Sequence, residues 1–426
     1  MIRKHRVEGY SKKEKWGKFK NKLFLLASSI APGLFLLGYN IGTGSVTTMA
    51  TSGAKYGLSL SWALLLSCVF TYFLIISFGK FTLVTGKTVL QSFRQRFGYG
   101  ITLFILLSLV LSELASCVGV MGVLTQVIQE WSKPFTTQGE GFHPVFIWIF
   151  FSSILLFLLW QGKYRFFEKV LAVFVGLMAA SFLMTLFITS PPPIDYLTGL
   201  IPRVPDENHA FLIISGMVGT TMGGILYVVR SILVSEKGWT VNDLKLEKRD
   251  AAISAGLMFV LSLAVMGCAA GTLFPKGLQI DNAIDVIKMM EPLAGKFAAS
   301  IFIFGIVSAG LSSLFPILLL APWLWSDFQG TKSNLKSPVS RGLIILGLLV
   351  SGLVPFLGGK PIFIMVASQS LTIMATPLVL FLMLLLLNDR KWMGAFRFNL
   401  KQNVIMLLII LFTIYMAVVG YIGLFF

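Results

Sequence analysis

Charge is scarce along this chain. Asp, Glu, Lys and Arg make up 12% of its 426 residues, whereas a soluble globular domain carries about 25%. So few charges cannot cover a water-facing surface. Apolar runs of about 20 residues recur along the whole length instead, each long enough to cross about 30 Å of hydrocarbon. Histidine is scarcer still. His5, His143 and His209 all fall in polar segments between apolar runs, which excludes an imidazole proton relay or metal ligand at membrane depth. The three cysteines, Cys68, Cys117 and Cys268, lie inside apolar runs without ligand spacing. Neither a disulfide framework nor a zinc site is implied, and the thiols read as packing residues. Acid is the rarest charge, and the formal net charge is +17.

That excess of base does not point to nucleic acid, because of where it sits. Apolar spans are expected near 23–52, 57–79, 100–128, 144–161, 170–189, 211–235, 251–273, 297–325, 342–357, 362–388 and 403–424. With the N-terminus on the cytoplasmic side, the inward segments hold 27 of the 35 Lys and Arg residues and the outward segments hold 7. Arg230 falls within a span. This is the positive-inside pattern, with the basic loops facing anionic headgroups of the cell membrane. Residues 1–22 read as a solvated basic arm and not as a cleaved leader. The chain is therefore expected to be an all-α polytopic membrane protein of about eleven helices, probed by lipid and a small solute and not by nucleic acid. A monomer is expected. No Ser/His/Asp cluster, His-Glu-His motif or phosphate loop is present, and "GTGS" from Gly42 is too short to be one. No enzyme and no cofactor are expected.

Two spans are interrupted. "YNIGTGSVTTMA", Tyr39 to Ala50, places Gly42 and Gly44 among Asn40, Thr43, Ser45, Thr47 and Thr48. The sixth span has Thr220, Thr221, Met222, Gly223 and Gly224 near its middle. The two breaks are five spans apart and run in opposite directions, as in an inverted-repeat transporter with its substrate at the midplane. The competing reading is that the glycines only permit close helix packing and that the threonines bond back to their own helix turn.

Five stretches in order resemble the NRAMP family of divalent-metal transporters: "APGLFLLGY" from Ala31, "VTGKTVLQSFRQRFG" from Val84, "YRFFEKVLAVFVGLMAASFLMTLF" from Tyr164, "GIVSAGLSS" from Gly305, and "ASQSLTIMATPLVLFLMLLLLNDRKWMG" from Ala367. The resemblance implies a LeuT-type fold of the APC superfamily, with broken helices 1 and 6. Its repeats would be residues 23–189 and 211–388, joined by an extracytoplasmic loop at 190–210 and followed by an exit loop and extra helix at 389–426. It also implies where a substrate would lie. The family's Asp-Pro-Gly-Asn motif falls on Gly42, Thr43, Gly44 and Ser45, without the Asp and Asn. Its Met-Pro-His motif falls on Gly223, Gly224 and Ile225, or one residue earlier with Met222 in the methionine place. Gln369 matches a tenth-span glutamine near the family's site. Glu113 matches a third-span glutamate, while the next two acidic positions are Val120 and Val123.

A dehydrated divalent ion needs anionic or strongly donating ligands, and the breaks offer only glycine backbone and neutral side chains. A small neutral or zwitterionic polar solute, such as a sugar or an amine-bearing metabolite, is therefore the first expectation. Transport of a divalent cation (Mg, Mn or Fe), as in the family, is the alternative, and a non-transporting receptor or scaffold is a further one. The expected substrate-binding residues are Asn40, Gly42, Thr43, Gly44, Ser45, Thr47, Thr220, Thr221, Met222, Gly223, Gly224 and Gln369. Glu113 and Arg230 are the costly intramembrane charges. They are expected to gate or couple transport to H+ or Na+, with Arg230 paired to Glu113 or Glu236 or reaching the cytoplasmic face.

Overall fold

The computed structural model describes residues 42–137, 139–161, 176, 179–180, 182–189, 191–205, 210–280, 285 and 291–425. Within them the chain is helical. Eight segments are long and apolar enough to cross a bilayer, and they coincide with eight of the expected spans. A ninth expected span is the shorter apolar helix Pro144–Trp160. The first span is described only in its second half, and most of the expected span at 170–189 lies outside the described residues. Asn40 also lies outside them.

In chain order the helices that frame the centre are α1 (Thr43–Tyr56), α2 (Ser61–Thr85), α3 (Val89–Phe97), α4 (Tyr99–Ser132), α5 (Pro144–Gln161), α6 (Ala210–Met222), α7 (Gly224–Glu236), α8 (Leu244–Thr272), α9 (Glu291–Gln329), α10 (Pro338–Ser351), α11 (Pro361–Asn388) and α12 (Leu400–Phe425). Their ends follow from local sequence. Gly86 closes α2 in the left-handed region at φ 67°, its N–H bonded to the Thr82 carbonyl. Only glycine takes that backbone without steric cost. Ser337 caps α10 by accepting the Ser340 N–H, with Pro338 at the first helical position, where a missing N–H costs nothing.

Inside lipid every polar group needs an internal partner. Many hydroxyls find one a turn back, including Ser67 on the Ala63 carbonyl, Thr125 on Met121 and Thr272 on Cys268. The three thiols are buried and unbridged, as their apolar surroundings imply. Phe104, Leu111, Leu408 and Leu411 point outward from α4 and α12, toward lipid.

The central helices are held close by small residues. A Cβ on Gly219 of α6 would lie 1.9 Å from the Gln369 carbonyl oxygen of α11, and one on Gly53 of α1 would lie 2.2 Å from the Met266 carbonyl oxygen of α8. Both contacts are with backbone, so no side-chain rotation relieves them. Gly219→Ala is expected to lower the thermal unfolding midpoint in detergent, at an overpacking cost of about 1–3 kcal/mol. An unchanged midpoint would mean that α6 and α11 can separate freely.

The helix that carries the seventh expected span reaches beyond it at the N-terminal end. It begins at Leu244, so Glu247 and Asp250, which look like loop charges in the sequence, are buried within it.

Candidate substrate site at a broken helix

Residues of both expected interruptions line one cavity. The described part of the first span begins its helix at Thr43, after Gly42 in extended backbone at ψ −179°. The sixth span stops at Met222 and restarts at Gly224, with Gly223 between them at φ −53°, ψ 131°. A cavity of about 30 Å³ lies against these breaks.

Of the expected residues, Gly42, Gly44, Ser45, Thr220, Gly223, Gln369 and Glu113 line this cavity. Thr43, Thr47, Thr221, Met222, Gly224 and Arg230 do not. Their surroundings differ from the cavity wall. The Thr43 N–H donates to Ser313 Oγ at 3.0 Å, and its own buried hydroxyl has no hydrogen-bond partner among the described residues. The Thr47 carbonyl accepts the Thr51 hydroxyl within α1. Thr221 bonds back to the Met217 carbonyl at 2.6 Å, so for this threonine the bland reading holds. Met222 is fully buried in the apolar core. The Gly224 N–H donates to Thr376 Oγ1 at 2.8 Å.

Sequence reasoning missed Ser116, Val120, Ser313, Ile317 and Thr372 on the cavity wall. A signal existed. Glu113, Ser116 and Val120 are spaced i, i+3, i+7 on α4, Ser313 and Ile317 i, i+4 on α9, and Gln369 and Thr372 i, i+3 on α11. Each set makes one stripe on its helix. Val120 presents methyl groups at one of the two places where the resembled family's third span has an acid.

Gln369 makes the cavity small. Its Nε2 reaches Ser116 Oγ at 3.3 Å. It also lies 2.7 Å from where a Gly44 Cβ would sit. Gly44 thus lets the amide rest against the first-span backbone, and a larger residue there would push the Gln369 side chain aside.

The break is also polarised. The last four carbonyls of α6 lack partners within that helix and form its negative end. One of them, on Thr221, accepts the Thr71 hydroxyl at 2.8 Å, and that hydroxyl also meets Tyr227 OH of α7 at 3.0 Å. The positive ends of α1 and α7 would attract an anion. Instead, the hydroxyls of Ser313 and Thr376 occupy the N–H groups of Thr43 and Gly224. Glu113 is the one described acidic side chain on the cavity wall. Among the described residues no group of three or more His, Cys, Asp or Glu side chains could hold a metal ion.

Arg230 is not part of this site, and it pairs with neither Glu113 nor Glu236. Its Nε and Nη2 donate to the two oxygens of Glu247 at 3.1 and 2.6 Å, and its Nη1 donates to Asp250 Oδ2 at 2.5 Å. All three side chains are at most 1% exposed. Gly79 of α2 makes room for the pair, since a Cβ there would lie 1.9 Å from Glu247 Oε1.

A helical membrane bundle whose sixth span is broken at Gly223, beside a cavity that the start of the helix at Thr43 also borders, fits the architecture of a secondary transporter. The comparisons with known proteins identify which kind. Residues 33–423 match the family described as "Natural resistance-associated macrophage protein-like", and the chain belongs to that family of membrane transporters. It is 25% identical over 413 residues to the "Natural resistance-associated macrophage protein 2 homolog" of Dictyostelium discoideum, covering 93% of this chain and 63% of that protein. It is 22% identical over 384 residues to the "Divalent metal cation transporter MntH" of Caldanaerobacter subterraneus subsp. tengcongensis, covering 86% of each. In structure it is similar to the Eremococcus coleocola manganese transporter, with TM-score 0.72, 15% identity, and 97% and 88% of the two chains covered. It is also similar to inward-facing Mhp1, with TM-score 0.59, 16% identity, and 92% and 88% covered. These likenesses bear out the LeuT-type fold expected from the sequence.

Proposed function

We propose that this transporter carries a divalent cation, which enters the central cavity with part of its water retained. The observation that carries this reading is the size of the cavity beside Glu113. About 30 Å³ is room for one or two water-sized particles, whereas small-molecule sites run to about 300–1,000 Å³. The first expectation, a sugar-like or zwitterionic solute, finds no room of that size here. Glu113 is the one described acidic side chain on the wall, and a bound cation would favour its ionised carboxylate. The hydroxyl oxygens of Ser45, Ser116 and Thr372 and the amide of Gln369 supply neutral donors, the hard-oxygen chemistry that Mg²⁺ and Mn²⁺ accept. One carboxylate cannot replace a whole hydration shell, which is why retained water belongs to the proposal. The relatives named as divalent metal cation transporters and the manganese transporter of similar fold support the same cargo class.

Uptake into proteoliposomes tests it. Saturable, protein-dependent entry of Mn²⁺ or Mg²⁺ is expected, with no saturable entry of labelled neutral sugars or amino acids. The opposite pattern would overturn the proposal in favour of a polar organic solute.

A further inference from the structure

A second buried carboxylate lies apart from the cavity. Asp327 sits in the last turn of α9 and is 6% exposed. Its Oδ1 accepts hydrogen bonds from Thr88 Oγ1 at 2.6 Å and from Gln91 Nε2 at 3.2 Å. Thr88 is the N-cap of α3, so the carboxylate rests at that helix's positive end. Its Oδ2 is buried and has no hydrogen-bond partner among the described residues.

No described basic side chain forms an ion pair with Asp327, and several charged side chains on the elements around it are engaged elsewhere, Arg96 of α3 with Asp389 at 3.3 Å among them. On α3, Arg94 donates Nη1 to the Phe328 carbonyl at 2.7 Å and lies over the rings of Phe328 and Tyr99. Lys87, just before α3, bonds Gln95 and lies over Trp392. On α7, Arg230 is held by Glu247 and Asp250. On α10, Arg341 lies over Trp160. On α4, Tyr99 packs its ring against Phe328.

Two opposing influences therefore meet at this group. The two donors and the helix end favour the ionised carboxylate. The buried oxygen without a donor, and the absence of a paired cation, favour the acid. A carboxyl balanced in this way at the end of a membrane span is a place for a proton.

We propose that Asp327 is a proton-binding site. One proton adds to Oδ2 in the acid form and leaves for solvent at this end of the bundle in the ionised form. Its ionisation sets how firmly α3 is held to α9. The consequence reaches further because α3 is also tied to α7, where Ser231 Oγ accepts the Val89 N–H at 3.1 Å. That half-helix carries Ile225 and Leu226 on the cavity wall. Proton occupancy at Asp327 thereby biases the position of a cavity-lining helix. The inference concerns the proton and not the cargo, so it stands or falls independently of cation transport.

Infrared difference spectra of the purified protein in nanodiscs, taken between acidic and alkaline buffers, test the site directly. The wild type is expected to lose a protonated-carboxyl band as pH rises. That band should be missing in Asp327→Asn and displaced in frequency in Asp327→Glu, which serves as the readout if the asparagine variant does not fold. Hydrogen exchange of Val89–Phe97, corrected for intrinsic rates, should change severalfold over the same pH range in the wild type and stay flat in Asp327→Asn. A band that persists in Asp327→Asn, or that is unmoved in Asp327→Glu, would overturn the site. Exchange of α3 that is independent of pH in the wild type would overturn the link to α3.

Discussion

Arg230→Met is expected to cost about 3–5 kcal/mol, the usual loss when one partner of a buried ion pair is removed. That is a large share of a typical total stability of about 5–15 kcal/mol. The reason is the asymmetry of the cluster. Arg230 satisfies Glu247 through two parallel hydrogen bonds and Asp250 through a third. Taking it away leaves two carboxylates facing each other where no water reaches them. They join α7 to α8, and Gly79 of α2 encloses them, so the loss should loosen three helices together. Size-exclusion profiles and thermal unfolding in detergent would show it as aggregation or a large fall in midpoint. Replacing the whole cluster with Arg230→Met, Glu247→Leu and Asp250→Leu should recover much of the loss, because a charge-free core of similar volume carries no desolvation penalty. If Arg230→Met unfolds at the wild-type temperature, the cluster is open to solvent and its structural role is wrong.

This cluster also shows where the sequence stopped being informative. The spans were readable because hydrocarbon imposes length and composition on each segment separately, and eight described helices fall where expected. The breaks were readable because glycine and hydroxyl residues in an apolar run violate that rule locally. Glu247 and Asp250 were not. In one dimension they belong to a run of loop charges, "KLEKRD", and only packing shows that Arg230 draws them in. The cavity's contents were half-legible for the same reason. A helical stripe through Glu113, Ser116 and Val120 is a matter of spacing. The Gln369 amide resting on Gly44, which helps bound a space of about 30 Å³, is a contact across 325 positions of chain. The expectation of an organic solute came from counting lost ligands, which describes charge but not volume.

Glu113→Gln is expected to lower cation uptake by at least about 100-fold, equivalent to about 2.7 kcal/mol. A unit charge about 4 Å from another gains about 4 kcal/mol at an effective dielectric constant of 20. A divalent ion doubles that gain, and retained water between ion and carboxylate takes back a large part of it. Glutamine keeps the shape and an acceptor oxygen, so the packing of α4 against α11 is preserved and the loss reports charge. Glu113→Asp keeps the charge and withdraws it by one methylene, so it should retain more uptake than the glutamine variant. Wild-type uptake by Glu113→Gln would remove the carboxylate from the mechanism. An effect on apparent affinity alone, with the maximal rate unchanged, would show that the charge gathers the ion into the cavity without being needed to carry it across.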